Sequence, residues 1–277
     1  MLVAGCASAA ATRPAPPARD AAELYLARLL AGDTASLRAG FASEPSVDDP
    51  LFGPVRGEGA FEPYVAARTA WLRARAARVS PVRTTRDDHR TVVESVLHVI
   101  GAAGGIDLPV AIVGDRDGAG RVRAIRIYHS LWPLEGKHRV RPPLLARDPS
   151  AHATGVVAEY QRALAAGDLE AILATFEPDG YFREPSGGEY VHRGPTELRK
   201  FMTDILSAGG IGLEHATVTD DGIVTVIEFN AISFGPRPLT PQAGLAVYEL
   251  GPTGHIAAAR IYDDVNLEEL APSGALQ

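Results

Sequence analysis

The sequence of 277 residues contains one cysteine, and aromatic residues make up only 6% of it. A single cysteine excludes a disulfide within the chain and a site built from several thiolates. No apolar run approaches the ~18 residues of a membrane span. The net charge is −7, and no basic stripe alternates with aromatic residues. We therefore expect a soluble globular protein that does not bind nucleic acid.

Cofactor signatures are also missing. The sequence has no Gly-rich phosphate loop, nucleophile elbow or dinucleotide fingerprint. No second His or Cys stands at ligand spacing from His129, so we predict no metal and no cofactor. The densest basic stretch, Arg68 to Arg78, has the spacing of a solvated helix face whose long side chains lie over apolar surface.

An internal repeat is the strongest positive feature. The segment from Tyr25 to Asp33 returns from Tyr160 to Asp168, in a register of 160 − 25 = 135 residues. The repeat continues in order: Phe41 with Phe176, Asp49-Pro50 with Glu184-Pro185, Arg56-Gly57 with Arg193-Gly194, and Arg126-Ile127-Tyr128 with Arg260-Ile261-Tyr262. A period far above the ~20–50 residues of solenoid repeats indicates two copies of a whole domain.

We predict one domain over residues 19–136 and a second over 153–270, with a linker at 137–152 and a tail at 271–277. Residues 1–18 have the composition of a disordered tether. Within them Val3-Ala4-Gly5-Cys6 resembles the lipobox of bacterial lipoproteins, although a leader needs an apolar segment of ~7–15 residues before it. Two locations stay open: the cytoplasm for the chain as written, or the cell envelope through a lipid on Cys6.

Each copy begins with an amphipathic helix that turns a tyrosine inward, Tyr25 or Tyr160. Gly32 and Gly167 are placed to end this helix with a left-handed cap before a second short helix. Helices followed by strands predict an α+β class, with the helices packed on one face of a curved antiparallel sheet. The predicted strands are 91–100, 109–113 and 122–129 in the first copy, and 223–234, 244–249 and 255–263 in the second.

Three features together resemble the nuclear transport factor 2-like superfamily, and within it the ketosteroid isomerases and SnoaL-like polyketide cyclases. They are the Tyr and Gly-Asp of the first helix, the acid-Pro dipeptides, and the turn Gly118-Ala119-Gly120 before a last strand. The resemblance covers about residues 20–135 and 153–270. It implies two tandem cone-shaped α+β barrels that form an internal pseudo-dimer, in a monomer or a homodimer.

The resemblance also implies candidate site residues in both copies. The Asp base of ketosteroid isomerases aligns with Asp49 and Glu184, and the Tyr of their oxyanion hole aligns with Tyr25 and Tyr160. These positions lie in the cavity of the cone. The same residues have structural interpretations, because the tyrosines can be core residues and an acid before proline is a common turn former.

Two further positions complete this comparison. The second acid of the oxyanion hole falls on Ile112 and Ala246, so that half of the hole is missing from both copies. SnoaL-like cyclases place a base near the end of the last strand, which corresponds to Asp263 and, in the first copy, His129. Strand alternation predicts that Asp263 shares the face of Ile261, and His129 that of Ile127. Two carboxylates in one apolar cavity push their pKa values apart and supply an acid and a base.

Two further polar residues stand out in the second copy. Glu214 lies 214 − 184 = 30 residues beyond Glu184, near where the tandem polyether epoxide hydrolases of this fold carry their second acid. It is either that acid or a solvated strand residue. We expect His192 to be exposed in a loop.

Three functions remain open. The leading hypothesis is a cofactor-independent acid–base enzyme of isomerase, cyclase or epoxide-hydrolase type, acting on a small hydrophobic ketone, polyketide or epoxide, with the second copy as the better site. The alternative is a binding protein for a hydrophobic ligand, anchored to the envelope if Cys6 carries a lipid. The third is a protein-interaction module.

Overall fold

The computed structural model describes residues 19–264, so Cys6 and the predicted tail lie outside the described residues. The first domain consists of α1 (Ala21–Ala31), α2 (Thr34–Ala39), β1 (Ser46–Asp49), β2 (Gly53–Arg56), α3 (Glu58–Ala74), β3 (Arg78–Arg86), β4 (Arg90–Gly101), β5 (Gly104–Arg116), β6 (Val122–Tyr128) and α4 (Trp132–Glu135). The second consists of α5 (Gly155–Ala166), α6 (Leu169–Ala174), β7 (Phe176–Arg183), β8 (Val191–Arg193), α7 (Gly194–Ile205), β9 (Ile211–Asp220), β10 (Val224–Phe234), β11 (Arg237–Leu250) and β12 (Ile256–Tyr262). None of the described helices is both long and apolar enough to cross a membrane.

A helical hairpin opens each domain. Gly32 (φ 71°) and Gly167 (φ 70°) end α1 and α5 in the left-handed conformation, which costs glycine little because it has no Cβ. The next residue then caps the following helix, as when Asp33 accepts a hydrogen bond from the backbone N–H of Ser36 at 3.0 Å. The predicted hairpins are confirmed. They turn Tyr25 and Tyr160 inward, where 1% and 2% of these residues are exposed.

Each domain contains one six-stranded sheet, in the orders β2-β1-β6-β5-β4-β3 and β8-β7-β12-β11-β10-β9. The sheets are mixed rather than purely antiparallel, because β1 pairs with β6 and β7 with β12 in parallel. These partners are far apart in the sequence, which allows a parallel pairing that a short hairpin would forbid. The edge strands β3 and β9 were not among the predicted strands. The α+β class is confirmed.

The two faces of each sheet serve different cores. On β4 the side chain of Val93 packs on the helix-side core of the first domain, whereas Val92 belongs to a cluster shared by both domains. Alternation along a strand produces this division, because successive side chains point to opposite faces. The shared cluster contains Val92, Ala111, Val113, Tyr128, Val224, Val226, Leu245, Val247 and Tyr262. The sheets therefore pack against each other, and the predicted internal pseudo-dimer is confirmed.

A buried ion pair crosses this interface in each direction. Arg126 on β6 binds Glu228 on β10 through two hydrogen bonds of 2.5 and 2.9 Å. Tyr128 and Thr217 donate to the same carboxylate at 2.7 and 2.6 Å. Burial acts to raise the pKa of Glu228, but the Arg126 charge and these hydrogen bonds outweigh it and lower the pKa. Glu228 is therefore a carboxylate at neutral pH.

The reciprocal pair joins Arg260 on β12 to Glu94 on β4, with hydrogen bonds of 2.8 and 2.7 Å. Tyr262 donates to Glu94 at 2.6 Å. The repeated Arg-Ile-Tyr motif thus has a structural explanation. Its Arg and Tyr face the partner sheet, while the intervening Ile127 or Ile261 packs on the core of its own domain.

Replacing Arg126 with methionine should destabilise the whole chain. Glu228 would remain buried without its counter-charge, which typically costs about 3–5 kcal/mol. Urea unfolding followed by circular dichroism would measure this loss. Arg123→Met is the matched control, because Arg123 is exposed on the same strand and should change stability by less than about 0.5 kcal/mol. A loss in Arg126→Met no larger than in this control would contradict the role of the ion pair.

Candidate functional site

The second domain encloses a cavity between α5, α7 and its sheet. The volume that the centre of a water molecule can reach inside this cavity is about 100 Å³. Most of the wall is apolar and includes Phe182, Phe201, Met202, Ile205, Phe229 and Phe234. The polar side chains in the wall are His138, Tyr160, Glu184, Ser186 and Tyr248. An apolar pocket with a few polar groups is typical of a site for a small molecule.

Glu184 is paired with a histidine at this cavity. It follows the end of β7, and His192 lies on the adjacent strand β8. His192 Nε2 and Glu184 Oε1 are 2.7 Å apart, and the His192 ring stacks on Phe201 at a centroid distance of 4.2 Å. The expectation of an exposed loop histidine was wrong, because strand pairing and stacking hold the ring in place. The pair can exchange a proton with a bound molecule.

Tyr160 projects from α5 into the same cavity. Its hydroxyl has no hydrogen-bond partner among the described residues, whereas the hydroxyl of neighbouring Tyr248 accepts a hydrogen bond from Gln161 at 2.8 Å. The two rings are 5.2 Å apart. Burial raises the pKa of Tyr160, so the hydroxyl keeps its proton at neutral pH and can donate it to an oxygen of a ligand.

Asp263 lies beyond the end of β12 and is not among the residues that line this cavity. Its positive φ of 77° interrupts the strand alternation that predicted a position on the face of Ile261. The carboxylate accepts a hydrogen bond of 2.8 Å from Nε of Arg141, which also donates to the carbonyl oxygen of Ile127. Burial raises the pKa of Asp263 to about 6, against the opposing effect of Arg141.

In the first domain, Asp49 is the counterpart of Glu184, and a hydrogen-bonded network surrounds it. Asp49 Oδ1 accepts from the backbone N–H groups of Leu51 and Phe52 at 2.8 and 3.1 Å. Tyr64 donates to Asp49 Oδ2 at 3.1 Å, and the hydroxyls of Tyr25 and Tyr64 are 2.8 Å apart. Asp49 thus holds the turn after β1 and also belongs to a buried polar cluster.

Arg68 completes this cluster. Its Nε lies 3.3 Å from Asp49 Oδ2, and its guanidinium carbon is 4.7 Å from the ring centre of Trp71. The prediction of a solvated face was wrong for this residue, since only 1% of Arg68 is exposed. In the repeat, Tyr64 and Arg68 correspond to Phe201 and Ile205, which line the cavity of the second domain.

His129 is also buried in the first domain. Its Nδ1 donates to the carbonyl oxygen of Ser130 at 3.0 Å. Burial, and then the charge of Arg68, lower its pKa to about 4, so the ring is neutral at pH 7.

Glu214 of the second domain is not among the residues of the cavity wall. Its side chain is one-third exposed, and its Oε1 atom lies 3.8 Å from a guanidinium nitrogen of Arg147.

One member of the cavity wall came from a segment without a counterpart in the repeat. His138 lies between α4 and α5, in the predicted linker, and its ring lines the cavity of the second domain. Repeat comparison could not find it, because a linker occurs only once. His192 could have been found, since it directly precedes the repeated Arg-Gly; it pairs with Phe182, two residues before Glu184.

Comparison with known proteins finds one family model and several solved structures that resemble part of this chain. The model of the SnoaL-like domain family matches residues 157–259. The solved epoxide hydrolase/cyclase-like enzyme SalBIII of salinomycin pyran ring formation is 25% identical, covering 39% of this chain and 86% of that chain, with a TM-score of 0.32. A candidate polyketide cyclase from Sinorhizobium meliloti is 21% identical, covering 39% and 94%, with a TM-score of 0.34. No curated protein matches the chain.

The Asp263 carboxyl should make stability depend on pH. A carboxyl whose pKa is raised on folding stabilises the folded state while protonated, and this contribution is lost as pH rises through the folded value of about 6. Between pH 4 and pH 7 the wild type should therefore lose ~2–3 kcal/mol of unfolding free energy relative to Asp263→Asn.

Urea unfolding of both proteins at several pH values measures this difference. Asp179→Asn serves as the control, because Asp179 is exposed in the same domain. A difference between wild type and Asp263→Asn that stays constant from pH 4 to pH 7 would contradict the raised pKa of Asp263.

Proposed function

Since the second domain is SnoaL-like, we propose that its cavity is the site of a cofactor-independent acid–base enzyme. Its substrate is a small hydrophobic ketone, polyketide or epoxide. The observation that carries this proposal is the Glu184–His192 pair, 2.7 Å apart, at a mostly apolar cavity. A proton-transfer group at an apolar cavity is more effective than in water, because its interactions are less screened.

The proposed step is proton abstraction next to a carbonyl group. Glu184 accepts the proton from carbon, the electron pair of the C–H bond forms a C=C bond, and the carbonyl oxygen becomes an enolate. Tyr160 then donates a hydrogen bond to that oxygen, which stabilises the developing charge. Return of the proton to another carbon gives isomerisation. Attack of the enolate on a second carbonyl carbon gives cyclisation, and the alkoxide formed there takes the proton back from Glu184. Both products need only the groups of this cavity.

The second domain is the better candidate because a buried polar cluster surrounds the corresponding acid, Asp49, in the first. Arg68 and Tyr64 occupy the positions of Ile205 and Phe201, and Asp49 already accepts hydrogen bonds from its own turn and from Tyr64. Asp49 is thus held by its own turn, by Tyr64 and by Arg68, whereas Glu184 lines the cavity of the second domain. We therefore assign the activity to Glu184 rather than to Asp49.

The function can be tested without knowing the natural substrate. Nitrobenzisoxazole reports a base in an apolar pocket: the base removes its ring C–H proton, the N–O bond breaks, and a coloured cyano-nitrophenolate is released. Glu184→Gln should lower kcat/KM for this reaction by about 100-fold, because an amide cannot accept the proton. Release of the phenolate, followed by absorbance, measures the rate.

Glu189→Gln is the matched control, since Glu189 is exposed five positions along the chain and should leave the rate unchanged. A wild-type rate no faster than buffer alone would refute the enzyme proposal. If nitrobenzisoxazole then still binds with a dissociation constant that changes in Phe201→Ala, the apolar wall supports the alternative, a binding protein for a hydrophobic ligand.

A further inference from the structure

The segment between the domains contributes a polar group to the cavity of the second domain. His138 lies outside both sheets, and its ring forms part of the cavity wall with Tyr160 and Glu184. Resting on the function proposed above, we propose that His138 is a catalytic residue that donates from Nε2 to the substrate oxygen, with Asp264 as its positioning residue. His138 thereby supplies the second oxyanion donor that Ala246 cannot provide.

Two contacts fix the orientation of the His138 ring. Its Nδ1 lies 2.9 Å from Asp264 Oδ1, and its face stacks on Trp132 at a centroid distance of 4.7 Å and an angle of 20°. Trp132 is itself held by a 3.3 Å hydrogen bond from Nε1 to the hydroxyl of Tyr190. The ring is therefore locked by a hydrogen bond at one nitrogen and by stacking on one face.

Asp264 is a carboxylate suited to this task. It is fully buried, and it accepts hydrogen bonds from the hydroxyl of Ser130 and from the backbone N–H groups of Leu131 and Arg139 at 3.0 and 2.8 Å. Burial acts to raise the pKa of Asp264, but the hydrogen bonds from His138, Ser130 and these backbone groups lower it. Because an ionised carboxylate only accepts, His138 Nδ1 must carry a proton and donate it.

The other nitrogen of the ring is the one without a partner. Nε2 of His138 is buried and makes no hydrogen bond with any described residue. A buried polar atom without a partner destabilises the protein, and a substrate oxygen would remove this cost on binding. With Nδ1 turned to Asp264, Nε2 is left as the ring nitrogen for the ligand. Nε2 can donate only when the ring carries a proton on both nitrogens, and the buried Asp264 carboxylate beside Nδ1 is the counter-ion that such an imidazolium needs.

The proton balance of the step then involves two groups. Glu184 takes a proton from the substrate carbon, and the charge that develops on the substrate oxygen is met by Nε2–H of His138 and by Tyr160. In the nitrobenzisoxazole reaction that oxygen is the leaving phenolate formed when the N–O bond breaks. Loss of the donor should matter more when the leaving phenolate is more basic, because its charge is less delocalised.

The test therefore compares nitrobenzisoxazole with benzisoxazole, whose phenolate lacks the nitro group. For His138→Gln we expect kcat/KM to fall about tenfold with the nitro compound and about 100-fold or more with benzisoxazole. Glu184→Gln should lower both rates by the same factor. Asp264→Asn should shift the ratio of the two rates in the same direction as His138→Gln. His152→Gln, at an exposed histidine of the same segment, should change neither rate.

The outcomes separate this inference from the proposed function. If the wild type is active and depends on Glu184, but His138→Gln lowers both rates equally or neither, the donor role of His138 is refuted and the enzyme stands. If the wild type is no faster than buffer, the enzyme proposal fails and the role of His138 with it. Thermal melting checks that each variant is folded, and His138→Asn replaces His138→Gln if that variant is not.

Discussion

The structure depends on two buried arginine–glutamate pairs that join the sheets back to back. Removing these charges from water is costly, so each pair is stabilising only if nearly every hydrogen bond is made. Both pairs meet this condition, since Arg126 and Arg260 each bind their glutamate through two nitrogens and a tyrosine completes each cluster. The pairs also fix how the sheets are placed, because a shift of one sheet would separate both pairs at once.

The two domains share one fold but differ in what lies beside the acid at the end of their first strand, Asp49 or Glu184. In the first, a buried arginine occupies the space beside Asp49. The hydroxyls of Tyr25 and Tyr64 form a hydrogen bond with each other, and Tyr64 also donates to Asp49. In the second, apolar side chains at the matching positions leave room, and the titratable groups lie around it. Because a buried arginine needs its counter-ion, Arg68 and Asp49 make this position polar in the first domain, whereas Ile205 leaves it apolar in the second.

Much of the fold followed from the repeat. The helical hairpins, the inward tyrosines and the paired sheets all rest on residues that occur twice, and a duplication shows which of them each domain needs. The predictions that failed involve residues whose environment comes from distant segments. Arg68 belongs to a basic run whose other members are exposed or half-buried, and only contact with Asp49 and Trp71 explains its burial.

The candidate site was predictable only in part, for the same physical reason. Tyr160 and Glu184 line the cavity at repeated positions, whereas Asp263 left the expected face because its backbone turns at a positive φ just beyond the strand. Strand alternation stops predicting orientation where a strand ends. His138 has no repeat partner, and nothing in its local sequence shows that a carboxylate 126 residues away would hold it.

The crossing ion pairs also set an order of events during synthesis. Arg126 meets a glutamate 102 residues later in the chain, which a ribosome adding ~5–20 residues per second reaches after roughly 5–20 s. During that interval the first sheet presents Val92, Val113 and Tyr128 to water, together with Glu94, whose counter-ion Arg260 lies in the second domain. The fused second copy arrives on the same chain, so this surface is covered at a rate that does not depend on protein concentration. Because the two copies are fused, the first domain finds its partner in the part of the same chain that is synthesised next.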